Sequence, residues 1–451
     1  MAALHMHRPG ADLRTSVLHR DESSHGEWTL AEHRASRSPR GRPPAIVLGL
    51  NPNALGTVKA LRRAGVRCIA LEACPEGPRQ AHTWMSARTR LCEKVFLPPG
   101  GGPEAMLQAL RRLGPRLPGR SPILPSSDDQ VFLLADNAEE LLQWYSFTVP
   151  EREALDLFMD KQQFSSFAVR QGVPVPRTLA NPTPAGLRAA APRLSYPCFI
   201  KPAYRDERWN SRFSPLKGLL AAGPEELLAQ YERALRAGTA LVVQEVVPGP
   251  DTNLVFSHLY IRADGTLAGC WTGRKLRQLP IHFGTATLAT TEDLPEVASL
   301  SLRLLRALSY RGYASVEFKQ DARDGVYRVL EVTAGRTWYN HYLGSVAGVN
   351  LEARWYEDLT GIPLDPDAGA ARTGVRWVDE YRDVMARREY RSTGESELAS
   401  WLPSYRGCRA WALGSWRDPL PGLLVLARLG LSEAQAALHL GRCLLSGEAR
   451  A

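Results

Sequence analysis

Hydrophobic and polar residues alternate in two neighbouring runs of the chain, SVEFK at 315–319 and VLEVT at 329–333. A period of two is typical of a β-strand that buries one face and leaves the other open. Asp324 and Gly325 lie between the runs and form a common turn sequence. The pattern therefore predicts a β-hairpin within 313–340.

Two glutamates, Glu317 and Glu331, occupy the polar face of this hairpin. With the turn centred near Asp324 they lie opposite each other, where bare carboxylates repel. A divalent cation such as Mg²⁺ between them would turn the repulsion into attraction, because Mg²⁺ accepts carboxylate ligands. Two solvated glutamates on an open sheet face are the alternative, and features upstream decide between them.

Apolar runs alternate with helical patterns between Pro44 and Tyr145. Strands fit at 45–50, 66–72, 94–97 and 122–124, and helices fit at 52–63, 104–113 and 128–145. This alternation predicts an α/β domain with a parallel sheet. The first turn, GLNPNALG, lacks the full GxGxxG spacing of a dinucleotide site. The loop at 126–130 is expected at the carboxyl edge of the sheet, where it could line a ligand crevice.

The next segment, from Lys161 to 247, contains two candidate lysines and a buried strand. Lys161 lies in a predicted helix, and Lys201 lies in an apolar strand at 198–203, followed by a polar loop at 204–217. A buried lysine needs an anionic partner, although an edge-strand lysine that extends to solvent is the alternative. The strand from Leu241 ends in a Pro-Gly turn, and we interpret 244–247 as a crossing between two lobes.

Basic residues recur further along the chain. The segment 271–287 is predicted to be a loop between strands that brings Arg274, Lys275 and Arg277 together. Clustered cations of this kind suit a phosphate or a carboxylate. A helix is predicted at 292–308. Arg336 follows the hairpin and is placed to contact a phosphoryl or acyl oxygen.

The composition, 44% hydrophobic and 23% charged over 451 residues, is that of a soluble protein with two or three domains. No apolar run approaches the roughly 20 residues of a membrane-spanning helix, and no signal peptide is predicted. The seven cysteines lack CxxC spacing, which indicates reduced thiols rather than a disulfide frame or a zinc site. These features predict a cytoplasmic protein.

The net charge of +9 comes almost entirely from arginine. Because the arginines are spread among acidic residues, without a basic stripe bearing stacking aromatics, the pattern disfavours nucleic acid as a partner. An arginine-biased genome is the simpler explanation. Only seven lysines remain, and since ammonium and guanidinium groups are not interchangeable at a phosphate, these lysines are candidate site residues.

Neither end of the chain carries a motif to which a chemical function can be assigned. Residues 1–42 are polar and without periodicity, and we predict a disordered tail whose histidines are solvated. Residues 365–451 are rich in Arg and Trp, with helical periodicity at 431–445. We interpret them as an extension packed on the main body or as an interaction surface.

The order of these motifs resembles the ATP-grasp superfamily over about 44–364. The motifs are DK in a helix, KP on a strand, QExxPG at a hinge and an E…LEV hairpin. The GRKLRQLPxxFGTAT segment looks most like the carboxylate–amine ligases of that superfamily, the D-aspartate ligase-like group. The resemblance implies an α/β and α+β fold: a Rossmann-like pre-ATP-grasp domain at 43–150, a small lobe at 151–248, a large lobe at 249–364 and a C-terminal extension at 365–451.

The resemblance also implies site residues. ATP would be bound by residues of both lobes, with Lys217 a weaker candidate: Lys161, Lys201, Gln244, Glu245, Val246, Val247 and, at the ribose, Asp251. Mg²⁺ would be held by Glu317, Glu331 and Thr333. The activated carboxylate or its acyl phosphate would be bound by Arg336, Lys275 and Arg274, together with Arg277. The family's usual Glu-x-Asn and Pro-Arg are here Glu331-Val332-Thr333 and Gly335-Arg336, and a hydroxyl is a poorer metal ligand than an amide carbonyl.

By this resemblance the protein is expected to join a small-molecule carboxylate to an amine with ATP, through an acyl phosphate, and possible homodimers are implied. A different ATP-grasp reaction, such as bicarbonate activation, stays open, although no biotin-related feature is recognised. Two alternatives of other kinds also stay open. One is a catalytically weakened protein that only binds nucleotide or ligand, and the other is an NAD(P)-dependent oxidoreductase built on the N-terminal α/β domain. His282 and His341 lie near the site segments, but each is expected to be structural.

Overall fold

The computed structural model describes residues 19–20, 28–29, 41–73, 81–98, 100–204, 207–213, 216, 218–364, 369–395 and 403–430. Lys217 and the helical periodicity at 431–445 lie outside these residues. Within the predicted tail, His19–Arg20 (β1) and Trp28–Thr29 (β2) pair antiparallel.

The N-terminal domain is a parallel five-stranded sheet flanked by helices, as the alternation predicted. Sheet order is β5-β4-β3-β6-β7. The strands are Ala45–Leu48 (β3), Cys68–Ala73 (β4), Glu93–Leu97 (β5), Ser121–Leu124 (β6) and Tyr145–Ser146 (β7). The helices are Pro52–Arg63 (α1), Ala81–Ser86 (α2), Gly102–Leu113 (α3), Asp128–Asp136 (α4) and Ala138–Leu141 (α5), with a 3₁₀ turn at Gly114–Arg116.

The single helix predicted at 128–145 is wrong in its length. Asn137 ends the first piece with φ −121° and ψ 23°, which are not helical values. The chain then makes one more helical turn and enters β7 at Tyr145, a fully buried residue whose hydroxyl donates to the Leu110 carbonyl at 2.8 Å. Pairing with β6 therefore overrides the helical pattern.

The small lobe is a four-stranded antiparallel sheet, ordered β10-β9-β11-β8, with helices on it. The strands are Thr178–Ala180 (β8), Cys198–Pro202 (β9), Leu219–Ala221 (β10) and Leu241–Glu245 (β11). The helices are Arg152–Met159 (α6), Lys161–Arg170 (α7), Pro184–Ala190 (α8), Glu207–Phe213 (α9) and Pro224–Leu235 (α10), with a 3₁₀ turn at Ala191–Arg193. The segment predicted as a polar loop at 204–217 thus contains a helix, because Trp209 and Phe213 are buried in the lobe's core.

The large lobe is built on a seven-stranded sheet, ordered β16-β15-β12-β13-β14-β17-β18. The strands are Leu254–Ile261 (β12), Leu267–Leu279 (β13), Thr285–Thr291 (β14), Gly312–Gln320 (β15), Tyr327–Ala334 (β16), Arg376–Val378 (β17) and Cys408–Trp411 (β18). The helices are Pro295–Arg306 (α11), Tyr342–Ala347 (α12), Leu351–Thr360 (α13), Glu380–Ser392 (α14) and one at 420–430, with 3₁₀ turns at Asp251–Asn253 and Pro403–Tyr405.

The two faces of this sheet bury different cores. Val255, Val316 and Phe318 point to α11 and to the small-lobe helices α6 and α7. Phe256 and Trp271 point to α12 and α13 and share one core with α1 of the N-terminal domain. The N-terminal domain and the large lobe are therefore packed together through a continuous apolar interior.

The described part of the C-terminal extension belongs to the large-lobe sheet. β17 pairs antiparallel with β14, and β18 pairs parallel with β17. None of the described helices is both long enough and apolar enough to span a bilayer. The five cysteines of the described residues are free thiols.

Candidate nucleotide and metal site

The hairpin places its two glutamates opposite each other, as the sequence predicted. Glu317 of β15 pairs with Glu331 of β16, and Ser315 pairs with Thr333 on the same face. The register shifts after Glu317. Glu331 is exposed, whereas the Glu317 side chain is only 14% exposed and lies with its Oε2 2.6 Å from the Lys275 ammonium. The Lys275 ammonium thus already pairs with one oxygen of the Glu317 carboxylate.

The basic segment around Lys275 is a strand and not the predicted loop. β13 pairs with β12 as far as Arg274 and continues to Leu279 by pairing with β14, with register shifts around Arg277. Since neighbouring side chains of a strand point to opposite faces, Arg274 and Lys275 are separated. Arg274 forms a bidentate pair with Glu292, with N–O distances of 2.6 and 2.8 Å. The predicted clustering is therefore wrong.

Arg277 is also held by a structural partner. Its guanidinium forms a bidentate pair with Asp383 of α14, at 2.9 and 2.6 Å, and donates to the Ser404 hydroxyl at 2.9 Å. The side chains of Arg277 and Asp383 are 3% and 0% exposed. This buried pair joins the C-terminal extension to the sheet.

The small lobe contributes two lysines to the cleft that faces the hairpin. The Lys201 ammonium donates to Gln244 Oε1 at 2.8 Å, and the Lys161 ammonium donates to the Ala203 carbonyl at 3.2 Å. Burial lowers the pKa of Lys201 to about 8, the charge of Lys161 adds to this, and Glu331 partly offsets it. Lys201 and Glu331 are therefore electrostatic neighbours across the two lobes.

Lys161 owes its position to the break between α6 and α7. The Asp160 carboxylate accepts from the backbone N–H groups of Gln162 and Gln163, at 2.8 and 3.0 Å, and so caps α7. Lys161 is consequently the first residue of that helix, at the edge of the cleft.

Lys319, one of the seven candidate lysines, lies near this site, although the sequence assigned it no role of its own. Lys319 is 8% exposed, and burial lowers the pKa of its ammonium. The charges of Asp251 and Asp321 raise this pKa, and the charge of Lys275 lowers it further. Its position two residues after Glu317, on the same strand, was the available signal. Four of the seven lysines thus form two neighbouring pairs, Lys161 with Lys201 near Glu331 and Lys275 with Lys319 near Glu317.

The hinge residues play different parts. Gln244 uses both ends of its amide, accepting from Lys201 and donating to Thr178 Oγ1 at 2.8 Å. The Glu245 carboxylate accepts from the Ser195 N–H at 2.8 Å, on the side of the lobe away from Gln244. The Val246 N–H donates to the Pro197 carbonyl at 2.9 Å, and Val247 is buried.

Asp251 lies in a buried network. Its carboxylate accepts from the His282 N–H at 2.9 Å and from the Tyr390 hydroxyl at 2.5 Å, and its residue is 1% exposed. The network joins the hinge to α14. A ribose contact at Asp251 stays a prediction.

Arg336 and His341 connect the segment after the hairpin to the N-terminal domain. Arg336 forms a bidentate pair with Asp128, at 2.6 and 3.1 Å, within the predicted crevice loop. His341 lies between Glu352 Oε1, at 2.5 Å, and the Asn53 carbonyl, at 3.0 Å, and is 1% exposed. His341 thus packs as a structural histidine.

Comparison with known proteins adds to this geometry. No protein-family model matches the chain. A D-aspartate ligase of Enterococcus faecium is 22% identical over 245 residues, which cover 52% of this chain and 58% of the ligase. The match therefore spans less than two thirds of that curated relative.

Solved structures resemble the chain over most of its length. Biotin carboxylase of Campylobacter jejuni, solved as its β-γ-ATP complex, has a TM-score of 0.57 at 14% identity and covers 74% of both chains. A biotin carboxylase domain dimer of Hydrogenobacter thermophilus, solved with MgADP and bicarbonate, has a TM-score of 0.55 at 15% identity, covering 74% of this chain and 73% of that one. The chain has the ATP-grasp fold. The fold that the sequence motifs predicted is thereby confirmed.

The residues of the ATP-grasp cleft fit Mg²⁺ only if a nucleotide completes the site. No group of three or more His, Cys, Asp or Glu side chains converges within the part of the chain that the structure describes. Glu317 and Glu331 supply two carboxylates, and Thr333 beside them supplies a hydroxyl. Mg²⁺ commonly takes one or two carboxylates and fills its other positions with phosphate oxygens and water, so the donor set is suitable.

Proposed function

We propose that the protein is an ATP-dependent carboxylate–amine ligase, which forms an amide or peptide bond through an acyl phosphate and releases ADP and phosphate. One observation carries this proposal. On one lobe Lys201 lies near Glu331 with Lys161 beside it, and on the other Lys275 and Lys319 lie near the opposed Glu317 and Glu331. Four ammonium groups around a metal-binding pair suit a triphosphate.

Nucleotide contacts are assigned by position. Lys161 and Lys201 would bind phosphate oxygens from the small lobe, since the two ammonium groups are neighbours and Lys201 lies near Glu331 of the hairpin. Backbone groups of 244–247 would frame the adenine. A ribose hydroxyl would reach Asp251 only if it replaces one of the hydrogen bonds from His282 or Tyr390.

Mg²⁺ bound at Glu317 and Glu331 would neutralise charge on the phosphates. Lys275 already neutralises one oxygen of Glu317 and would stay beside the transferred phosphoryl group. Arg336 would contact the acyl phosphate only after its ion pair with Asp128 breaks. Arg274, which Glu292 and the Thr252 carbonyl hold on the other face, would act by fixing β13.

The reaction needs positioning more than covalent catalysis. A carboxylate oxygen of the substrate attacks the γ-phosphorus of ATP. The bond between the γ-phosphorus and the β,γ-bridging oxygen breaks, and ADP leaves. The amine nitrogen then attacks the acyl carbon, phosphate leaves, and the amine proton passes to phosphate or solvent. The side chains hold the reactants in line and balance charge. Closing the lobes would exclude water, which would otherwise hydrolyse the acyl phosphate.

The name of the ligase relative narrows the substrates. D-aspartate ligase acts, by its name, on an amino acid, and we propose amino acids or similar molecules as the carboxylate and amine of this protein. ADP and phosphate release with Mg·ATP and pooled carboxylates, with hydroxylamine as the amine, tests the reaction. A hydroxamate formed with one pool is expected, and nucleotide binding without any hydroxamate would contradict ligation.

A binding-only protein is a second candidate because Thr333 replaces the family's asparagine. If the native protein turns over ATP and a folded Glu331→Ala variant does not, the binding-only function is excluded. The oxidoreductase alternative has less support. The edge of the N-terminal sheet where a dinucleotide would bind is packed by the large lobe, since Asn53 donates to the Thr337 carbonyl at 2.9 Å and His341 covers Gly56. A titration without NAD(P) binding would remove that alternative.

A further inference from the structure

A small basic cavity lies between the N-terminal domain and the C-terminal extension, lined by neither Glu317 nor Glu331. Its volume is about 240 Å³. Its cationic lining comes from two distant parts of the chain: Lys59, Arg62, Arg63, Arg409 and Arg417. No aspartate or glutamate lines it.

Lys59 brings the two halves of this cavity together. Its ammonium lies 3.0 Å from each of four successive carbonyls, those of residues 411–414. An ammonium has three protons, so four acceptors leave it no donor for a ligand. Lys59 therefore fixes the loop that leads to Arg417 against helix α1, whose last turn carries Arg62 and Arg63.

The four arginines of the cavity have no partner in the described residues. The side chains of Arg62, Arg63, Arg409 and Arg417 make no hydrogen bond or ion pair with any residue that the structure describes, in contrast to Arg274, Arg277 and Arg336. All four are exposed. Like charges held together without a counter-charge cost free energy, and an anion would remove this cost.

Two carboxylates near Lys59, those of Glu380 and Asp418, do not pair with the arginines. Glu380 and Asp418 raise the pKa of Lys59 against the larger effect of burial, which lowers it to about 8. Glu380 accepts from the N–H groups of Leu413 and Gly414, and Asp418 accepts from Thr89 and the Arg90 N–H. Neither carboxylate lines the cavity, whereas five cationic side chains do.

Aromatic rings complete the cavity. Tyr342 and Trp411 line it together with Trp416, whose side chain is fully exposed. The charges of Arg63 and Arg417 both lower the pKa of the Tyr342 hydroxyl against the larger effect of burial, so both arginines lie near it. Planar guanidinium forks suit phosphate oxygens, and the rings offer a face to a base.

We propose that this cavity binds a small molecule carrying a diphosphate group. Inorganic pyrophosphate and the diphosphate of a nucleotide share the chemistry that the four guanidinium groups recognise. The sequence could not reveal the site, because its arginines come from 62–63 and 409–417 and meet only through the Lys59 contacts.

Calorimetric titration of the full-length Lys201→Ala variant tests the proposal, since this background weakens the ATP-grasp cleft. The probes are inorganic pyrophosphate and ADP at low ionic strength. Pyrophosphate is expected to bind, and Arg63→Ala with Arg417→Ala is expected to weaken it at least about tenfold. Arg188→Ala with Arg236→Ala is the control, because both residues are exposed on the small lobe, and it should leave binding unchanged.

The ADP arm separates the two sources. Tighter binding of ADP than of pyrophosphate, with a fluorescence change that Trp416→Phe removes, would assign the diphosphate to a nucleotide; the reverse order would assign it to pyrophosphate. Equal loss in the control pair, or no binding of either probe, would overturn the proposal. Arginine-dependent binding of a single-stranded oligonucleotide without pyrophosphate binding would also overturn it, in favour of a nucleic-acid surface.

Discussion

Lys201 has a proton-linked role at the residue scale. Because burial lowers its pKa to about 8, the ammonium loses its proton as the pH rises through 8, whereas bound phosphate favours the charged form. We expect ATP affinity to fall above pH 8 and binding at pH 9 to take up as much as about one proton per ATP. Calorimetry in buffers of different ionisation enthalpy measures this uptake.

The control for this prediction is Lys201→Arg. Guanidinium stays charged at pH 9, so the variant should lose the part of the uptake that belongs to Lys201 and retain any part from Lys319, whose pKa burial also lowers. Equal uptake in both proteins would show that Lys201 does not contact phosphate.

Thr333 tests the metal site at the same scale. It lies beside Glu331 on the face of β16 that carries the glutamates, and Thr333→Asn would offer an amide carbonyl in place of a hydroxyl. We expect the Mg²⁺ concentration for half-maximal ATP turnover to fall, by up to about tenfold. Thr333→Ser keeps the hydroxyl and should behave as the native protein. An unchanged Mg²⁺ dependence in Thr333→Asn would place the metal elsewhere.

At the scale of elements, the buried Arg277–Asp383 pair holds α14 on the sheet. Asp383 also accepts from the Thr287 hydroxyl at 2.8 Å and the Tyr405 hydroxyl at 2.7 Å. Asp383→Ala would leave the buried guanidinium without its partner, and we expect it to lower the free energy of unfolding by about 3–5 kcal/mol in urea. Asp156→Ala, which breaks an exposed pair with Arg152, should cost less than about 1 kcal/mol. Similar losses in both would contradict a structural role for Arg277.

Sequence patterns predicted those elements whose partners are near in the chain. The hairpin was predictable because a short turn fixes the register of Glu317 against Glu331. β17 and β18, with three and four residues, are too short to show a period. The Arg277–Asp383 pair joins residues 106 positions apart. The sequence therefore predicts a ligand contact for Arg277, whereas in the structure Arg277 pairs with Asp383 of α14.

Side-chain orientation set the same limit within the cleft. Basic residues adjacent in sequence were expected to act together, but a strand sends Arg274 and Lys275 to opposite faces. Lys319 is predicted only as one of seven candidate lysines, although it follows Glu317 by two residues, the spacing that returns to one face of a strand. Knowing that 271–279 is a strand would have corrected the first expectation, and applying the period of two would have corrected the second.

At the scale of the whole molecule, an aromatic contact joins the two lobes. Phe199 of β9 stacks on Phe283, in the turn between β13 and β14, with centroids 5.0 Å apart and planes at 13°. Such a pair contributes about 0.5–1.5 kcal/mol, so Phe283→Ala should open the lobes more often. Under the proposed reaction, water would then reach the acyl phosphate, and we expect the ratio of ADP released to amide formed to rise about two- to tenfold. Phe283→Tyr keeps the ring and should keep the native ratio, whereas a ratio unchanged by Phe283→Ala would show that this contact does not control closure.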